Sequence, residues 1–476
     1  MNLYQRICFI ACLFLLPLSM SHAQEVLDGR DMGGTNDDLL TRVVSDAAGN
    51  AYVMGTFTGS LDLGNGLPVL TTATGVEDSY IASFDADGIA RWVVQLSSSE
   101  GSTLPSALTL NESQGLLLTG GRYLGTLSIG TGGENLSGDI DFEQGYIIAL
   151  SLNDGSVGLH IPVLEGSFDA EVRELRLSDA GSIYMVGNFL GTAVLGYNDI
   201  NDPANTAFVL TGTGGGTGAV YDVAIGSYGA DGTLFWGMLG SGSTSGSIGV
   251  GIDYYNDGID EYIYATGQFT GTVNFQDEQG GSFNATTVGG SDIFLLRAAA
   301  GSGAIDWLVS DGSTLDDEAY DLVVDNLGDA YITGTQLAAS TFSPDESSGV
   351  ITTIGYGLSD AVFAKYNTVG QVIWARSAGG IADDFGTAIE LNAEQEPFLA
   401  GAFQSTAMSF APATAGEDLL TLSGASLLRL RTAASCGAVR QKARPTKGLP
   451  GSRSAAREAI WQAPSTSLPP SPAGLA

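Results

Sequence analysis

One glycine-centred phrase copied six times, a residue pool rich in glycine and poor in positive charge, and a Gly-x-x-x-Trp motif that returns with the copies predict an all-β fold. The architecture expected is a β-propeller of about six four-stranded blades, closed by an N-terminal strand that pairs into the last blade.

The phrase is plainest in DNLGDAYITG at 325–334, which nearly repeats DAAGNAYVMG at 46–55. Its glycine recurs as Gly55, Gly120, Gly187, Gly267, Gly334 and Gly401, at spacings of 65, 67, 80, 67 and 67 residues. Each copy reads in the same order. A strand such as LLTRVVS meets an Asp-x-x-Gly turn (Asp46 to Gly49, Asp325 to Gly328), with the residue types a type I turn prefers at its ends. The AYVMGTF strand follows, then a connection of about twenty residues, then a strand of the DSYIASF kind. A second turn leads to the last strand, where Trp92, Trp236, Trp307 and Trp374 each lie four residues after Gly88, Gly232, Gly303 and Gly370. Leu159 fills that slot after Gly155, so the position asks for any large apolar group.

A single four-stranded sheet cannot bury its apolar face alone, which is why the unit must repeat. An array of β-sandwich domains is the rival architecture, but the repeat is short for one and no linkers separate the copies. The repeats fall near 39–97, 106–165, 171–240, 250–310, 320–377 and 386–431. Residues 26–38, VLDGRDMGGTNDD, align without gaps on 372–384, VIWARSAGGIADD. Residues 25–31 are therefore expected to supply the missing fourth strand of the last blade, giving a propeller over 24–437.

Composition narrows the function. The 476 residues contain 67 Gly and only 18 Lys+Arg, with a formal net charge of -35. Residues 1–428 hold 10 of the bases and 52 of the 53 acids, whereas 429–476 hold 8 bases and the single acid Glu458. So acidic a body repels phosphate backbones, which excludes nucleic acid as a partner. The acidity suits solubility at high salt, or it follows from frequent Asp in frequent turns.

The opening MNLYQRICFIACLFLLPLSMSHAQE carries Arg6, an apolar run over 7–20 and Ser21-His22-Ala23 as a small-x-small site. It reads as a signal peptide over 1–23, cleaved after Ala23, for a secreted or cell-surface product. The apolar run is too short for a permanent transmembrane segment. Cys8 and Cys12 leave with it, so the mature chain keeps only Cys436 and forms no internal disulfide.

The motifs Asp-Asp, Asp-x-x-Gly-Asn/Asp-x-Tyr-Val/Ile-x-Gly, Asp-x-x-x-Ala-x-Phe/Tyr and Gly-x-x-x-Trp, over about residues 26–440, resemble those of the secreted bacterial proteins with SBBP-type repeats. The resemblance implies a seven-bladed propeller used for architecture and surface binding, and implies no catalytic residue. Two features depart from it: six units are counted, and the connection inside each unit is long.

After Gly437 the pattern is abandoned. Residues 438–476 hold six of the 14 prolines and most of the tail's bases, a composition expected to stay disordered. The readings open for it are a basic arm toward an acidic envelope, a degraded sorting signal, and a reading-frame slip near 440.

Few catalytic schemes have their residues. Once the leader is removed His160 is the sole histidine, expected to bond a backbone partner, and no cysteine lies in the propeller body before Cys436. Histidine-assisted nucleophiles and His/Cys zinc sites are thereby excluded. Carboxylates are plentiful. Asp37 and Asp38, Asp316 and Asp317, and Asp383 and Asp384 stand 18 and 17 residues before their glycines, with Asp169 similarly placed. Such aspartates cap turns; read functionally, they form an acidic ring near a central channel for a cation or cationic group. In DYYNDGIDEY, Asp253, Asp257 and Glu261 fall at positions one, five and nine of a calcium loop, but Tyr255 and Tyr264 occupy two ligand positions. Calcium is the only cofactor considered, with an enlarged turn as the alternative. The glycine run at 211–218 has no following helix or lysine and so makes no phosphate cradle.

The expected function is a non-enzymatic, monomeric binding scaffold for a protein or polysaccharide at the cell surface or outside the cell. Recognition is assigned to the connections between second and third strands and to the insertion around 198–220. Alternatives are a carbohydrate-active enzyme with a site on one propeller face and a calcium-stabilised structural protein.

Overall fold

The computed structural model describes residues 36, 38–73, 75–196, 208–212, 220–242, 246–342, 351–411, 418–421 and 457–462. Among these, every regular element is a β-strand and every strand pairing is antiparallel. Five four-stranded units follow one another. Strands Asp38–Ser45, Ala51–Thr58, Glu77–Phe84 and Ala90–Ser98 make the first. Leu104–Asn111, Leu116–Tyr123, Gln144–Ser151 and Val157–Gly166 make the second. The third uses Ala170–Leu177, Ile183–Phe189, Asp222–Tyr228 and Leu234–Ser241. In the fourth, Ser247–Asn256 and Ile305–Asp311 flank the long strands Glu261–Asp277 and Ser282–Ala299. The fifth comprises Asp317–Val324, Ala330–Gln336, Asp360–Tyr366 and Val372–Gly379.

A sixth unit begins with Asp384–Leu391 and Pro397–Phe403. Its next strand is Arg457–Gln462, paired from Phe403↔Arg457 to Phe398↔Gln462. These six residues fall in the tail expected to be disordered, and they pair antiparallel with the second strand of the sixth unit. The expected strand at 25–31 lies outside the described residues.

The first strands of all six units border one cavity of about 600 Å³, so the sheets stand around a common axis like propeller blades. Apolar side chains interleave between neighbouring sheets: Tyr52, Met54 and Trp92 of the first unit pack with Leu108, Tyr146 and Ile148 of the second. The connection between second and third strands, read from sequence only as a long loop, is a β-hairpin that leaves its own unit. It pairs with the outer strand of the unit before. Thr126–Ile129 adds to Ala90–Ser98, Thr192–Leu195 to Val157–Gly166, residues 274–277 to Leu234–Ser241, and Ala407–Ala411 to Val372–Gly379.

The repeated phrase now has a physical account. Asp46 Oδ1 accepts the Asn50 amide at 2.8 Å, and Tyr52 Oη donates to Asp46 Oδ2 at 3.0 Å. Asp325 does the same with Asp329 N at 2.9 Å and Tyr331 Oη at 3.1 Å. Three residues beyond the tyrosine, the glycine faces a bulge in the first strand, where one extra residue breaks the register: Thr41 beside Gly55, Tyr320 beside Gly334. The bulge drives a first-strand carbonyl into the space a Cβ would need, as Glu318 O does at Gly334 and Leu39 O at Gly55.

The same test corrects one position. In the second unit the glycine facing the bulge is Gly121, paired with Pro105 and Tyr146 and pressed by Leu104 O; Gly120 instead neighbours the Val172 side chain. The two adjacent glycines of LLLTGGRY are indistinguishable by motif, and only the bulge separates them.

The tryptophans lock consecutive units. Trp92, Trp236 and Trp307 donate their indole N–H to Leu152 O at 3.2 Å, Ala300 O at 2.8 Å and Thr368 O at 3.1 Å. Each acceptor lies in the second turn of the following unit. Leu159, in the same slot, packs beneath Gly232 of the third unit without the hydrogen bond.

Candidate functional site

The carboxylates singled out from the sequence are placed at unit junctions. Asp316 Oδ1 accepts the Ser291 amide of the preceding unit at 3.0 Å, Asp383 Oδ1 accepts the Ser359 hydroxyl at 2.8 Å, and Asp169 Oδ1 accepts the Glu143 amide at 3.1 Å. The second aspartate of the 316–317 and 383–384 pairs turns inward and is fully buried. Asp317 accepts the Ser313 amide at 2.6 Å and the Ser340 hydroxyl. Asp384 accepts the Gly380 amide at 2.8 Å, the Gln404 amide at 3.0 Å and the Ser405 hydroxyl at 2.7 Å. Burial raises both carboxyls above the ordinary aspartate range despite these bonds. Asp38 opens the first strand opposite Phe57, and Asp37 lies outside the described residues. None of the described members of these pairs lines the central cavity.

Asp253, Asp257 and Glu261 are not gathered. They belong to one hairpin, but Asp253 pairs with Tyr264 well below the turn and reaches Arg176 at 3.2 Å and the Val324 amide at 2.7 Å. Asp257 Oδ1 caps the turn by accepting the amides of Ile259 and Asp260, both at 2.8 Å, which hold its carboxyl below the ordinary range. Glu261 Oε1 accepts Asn256 Nδ2 at 3.3 Å. Among the described residues no group of three or more His, Cys, Asp or Glu is arranged to hold a metal. His160 Nδ1 lies 3.4 Å from Gly158 O.

The unrepeated charge constellation is one the sequence reading missed. Arg42, Glu174, Arg176, Asp253, Asp321 and Glu390, from the first strands of units one and three to six, line the central cavity. Arg42 reaches Glu174 at 3.4 Å, Arg176 reaches Glu174 at 2.9 Å and Asp253 at 3.2 Å, and Asp321 Oδ2 accepts the Ile389 amide at 2.8 Å. Burial opposes the charge of Arg176, but the fields of Glu174, Asp253, Asp321 and Glu390 outweigh it and hold its pKa above the ordinary value. Burial pushes Asp321 up to about 7 and raises Asp253 and Glu390. These residues stand one and three places beyond the bulge in each first strand, a position that no local sequence pattern marks.

Two grooves open on the rim where first strands begin. One, of about 470 Å³, is lined by Tyr221, Ile248, Phe269, Asp316 and Glu318 among others. The other, of about 640 Å³, is lined by Leu315, Asp316, Glu318, Leu337, Leu358 and Phe385 among others. Asp316 and Glu318 border both.

No family model matches the chain, and no curated protein sequence matches it. Among solved structures it is similar to a quinohemoprotein alcohol dehydrogenase from Comamonas testosteroni, at 12% identity and a TM-score of 0.32, over 74% of this chain and 61% of that one. The chain thus spans only 61% of that protein's length. It is similar to BamB from Moraxella catarrhalis at 14% identity and a TM-score of 0.28, over 78% and 96% of the two chains. A europium-containing methanol dehydrogenase matches at 10% identity and a TM-score of 0.30, over 77% and 85%. At these scores none of the three bears on what this chain binds. No helix among the described residues is long and apolar enough to cross a membrane.

Proposed function

We propose that this chain is an exported, non-enzymatic interaction scaffold, a six-bladed closed propeller of the SBBP-repeat kind, that binds a protein or polysaccharide on its grooved rim. One observation carries the reading. The described junction aspartates spend carboxylate oxygens on backbone amides and serine hydroxyls, while beside them two grooves with apolar floors stay open. Carboxylates so used fix one sheet against the next, and the cavities they frame have the mixed lining of binding sites. Export rests on the leader-like residues 1–23.

The full chain should bind members of a panel of immobilised peptides and polysaccharides, and Leu358→Asp should abolish that binding without lowering Tm. The same polysaccharides should release no new reducing ends on incubation. Turnover would replace the scaffold by the carbohydrate-active enzyme, and a Tm lowered by a chelator would favour the calcium-stabilised alternative; no Tm shift is expected.

A further inference from the structure

We infer that the grooved rim takes an extended, basic segment of a protein partner, one that alternates Lys or Arg with aliphatic side chains; this rests on the scaffold reading above.

The apolar part of the argument is exposure. Leu315, Leu337 and Leu358, 49%, 38% and 60% exposed, line one groove, and Ile381, 81% exposed, abuts Gly357 on its edge. Large aliphatic side chains left in water on one rim mark a contact surface, since isolated ones need no explanation but a cluster does.

The charged part is imbalance. Asp316, Glu318 and Asp383 stand around these leucines, and no Lys or Arg joins them among the described lining residues of either groove. Each carboxylate has one oxygen engaged: Asp316 with the Ser291 amide, Asp383 with Ser359, and Glu318 Oε2 with Tyr320 Oη at 2.7 Å. The other oxygen of each accepts no hydrogen bond from a described residue, and Asp316 is exposed and Glu318 and Asp383 are half-buried, in a body already rich in acid. A neutral sugar seated here would strip water from three carboxylates and return no charge, which is costly; cationic side chains replace that water with charge-assisted bonds. Aliphatic anchors, in turn, call for apolar side chains in the partner. Because Asp316 and Glu318 belong to both grooves, a strand-like segment can set alternate side chains into one and then the other.

The test uses the full chain and a fluorescently labelled heptapeptide, Lys-Leu-Lys-Leu-Lys-Leu-Lys, read by anisotropy at physiological salt. Saturable binding is expected. The double variant Leu315→Ser, Leu358→Ser, which leaves every charge in place, should weaken it at least about tenfold, whereas Glu100→Gln on the first unit should leave it unchanged. Undiminished binding by the double variant would show general attraction to an acidic body and overturn the inference. Groove-dependent binding of cellohexaose or of the corresponding Glu-Leu heptapeptide, but not of the Lys-Leu peptide, would overturn the partner class and spare the scaffold. No groove-dependent binding of any probe would sink both. Tighter binding by the Arg440→Gln, Lys442→Gln, Arg444→Gln, Lys447→Gln variant would name the chain's own basic stretch as the occupant and overturn a foreign partner.

Discussion

Gly334 has no room for a methyl group because the bulged first strand presses Glu318 O against its Cα, whereas Gly301 has open space around it. Gly334→Ala should therefore cost roughly 2–3 kcal/mol in a denaturant titration, and Gly301→Ala should stay within about 0.5 kcal/mol of the parent. The recurrence of glycine at this place was plain in the chain. Its cause was not, because the carbonyl that excludes Cβ belongs to another strand and to a bulge that no local motif announces. The choice between Gly120 and Gly121 shows the limit: both satisfy the phrase, and only one faces the bulge. The indole slot behaves alike. Trp236 donates to Ala300 of the following unit and lies beneath Gly303. Its replacement by Leu, which the second unit tolerates at Leu159, should leave the fold intact at a cost of about 3 kcal/mol by calorimetry.

At the scale of elements the decisive feature is the hairpin that the second, third, fourth and sixth units each lend to the one before. Ser128 pairs with Asn135 inside its hairpin and with Ser97 on the neighbouring sheet, so it lies on an interior strand, the fifth of a six-stranded sheet. Ser128→Pro removes a ladder position there and should expose amides of 96–98 and 126–129 to hydrogen exchange while the rest of the second unit keeps its protection. Uniform protection across both segments would mean the hairpin adds nothing to the junction. The sequence showed only a connection of about twenty residues; the burial of Leu127, Ile129 and Leu136 against the neighbouring sheet came with the fold. Strand partners are chosen by proximity across the fold, and an outer strand's alternation is equally compatible with an exposed edge.

Over the whole molecule, the central cavity couples charge to stability. Asp321 is pushed up to about 7, and Asp292 and Asp360, buried in the third strands of the fourth and fifth units, up to about 6, each chiefly by burial. In the unfolded chain all three titrate near the ordinary aspartate value. A carboxyl raised on folding holds its proton more tightly in the native state, so its contribution is full below about pH 4 and is lost as pH rises through the folded values. Tm should therefore fall by a few degrees between about pH 5 and pH 8, and Asp321→Asn should flatten the upper part of that slope. A Tm that climbs over the same interval would refute the assignment. Removing Arg176, which answers Glu174 and Asp253 at once, should be far more damaging than removing Glu390, because it strands buried Asp253 without its counter-charge and leaves Glu174 with Arg42 alone.

The chain's own text determined the repeated unit, its four strands, its Asp-capped turns and its tryptophan slot, because period-two alternation and turn chemistry act between residues close in sequence. The single acids Glu174, Asp321 and Glu390 carried no local mark, and the pairs at 316–317 and 383–384 read as turn caps, with an acidic ring as the functional alternative. Tertiary structure brings first strands from all six units to one cavity and sets Asp316 on an amide of the preceding unit and Asp384 on the Gly380 amide at the junction. Contacts between residues about 65 or more positions apart, such as Arg176 with Asp253 or Trp236 with Ala300, exist only once the sheets are stacked. A linear pattern cannot encode which of many equivalent edges and carboxylates those contacts will use.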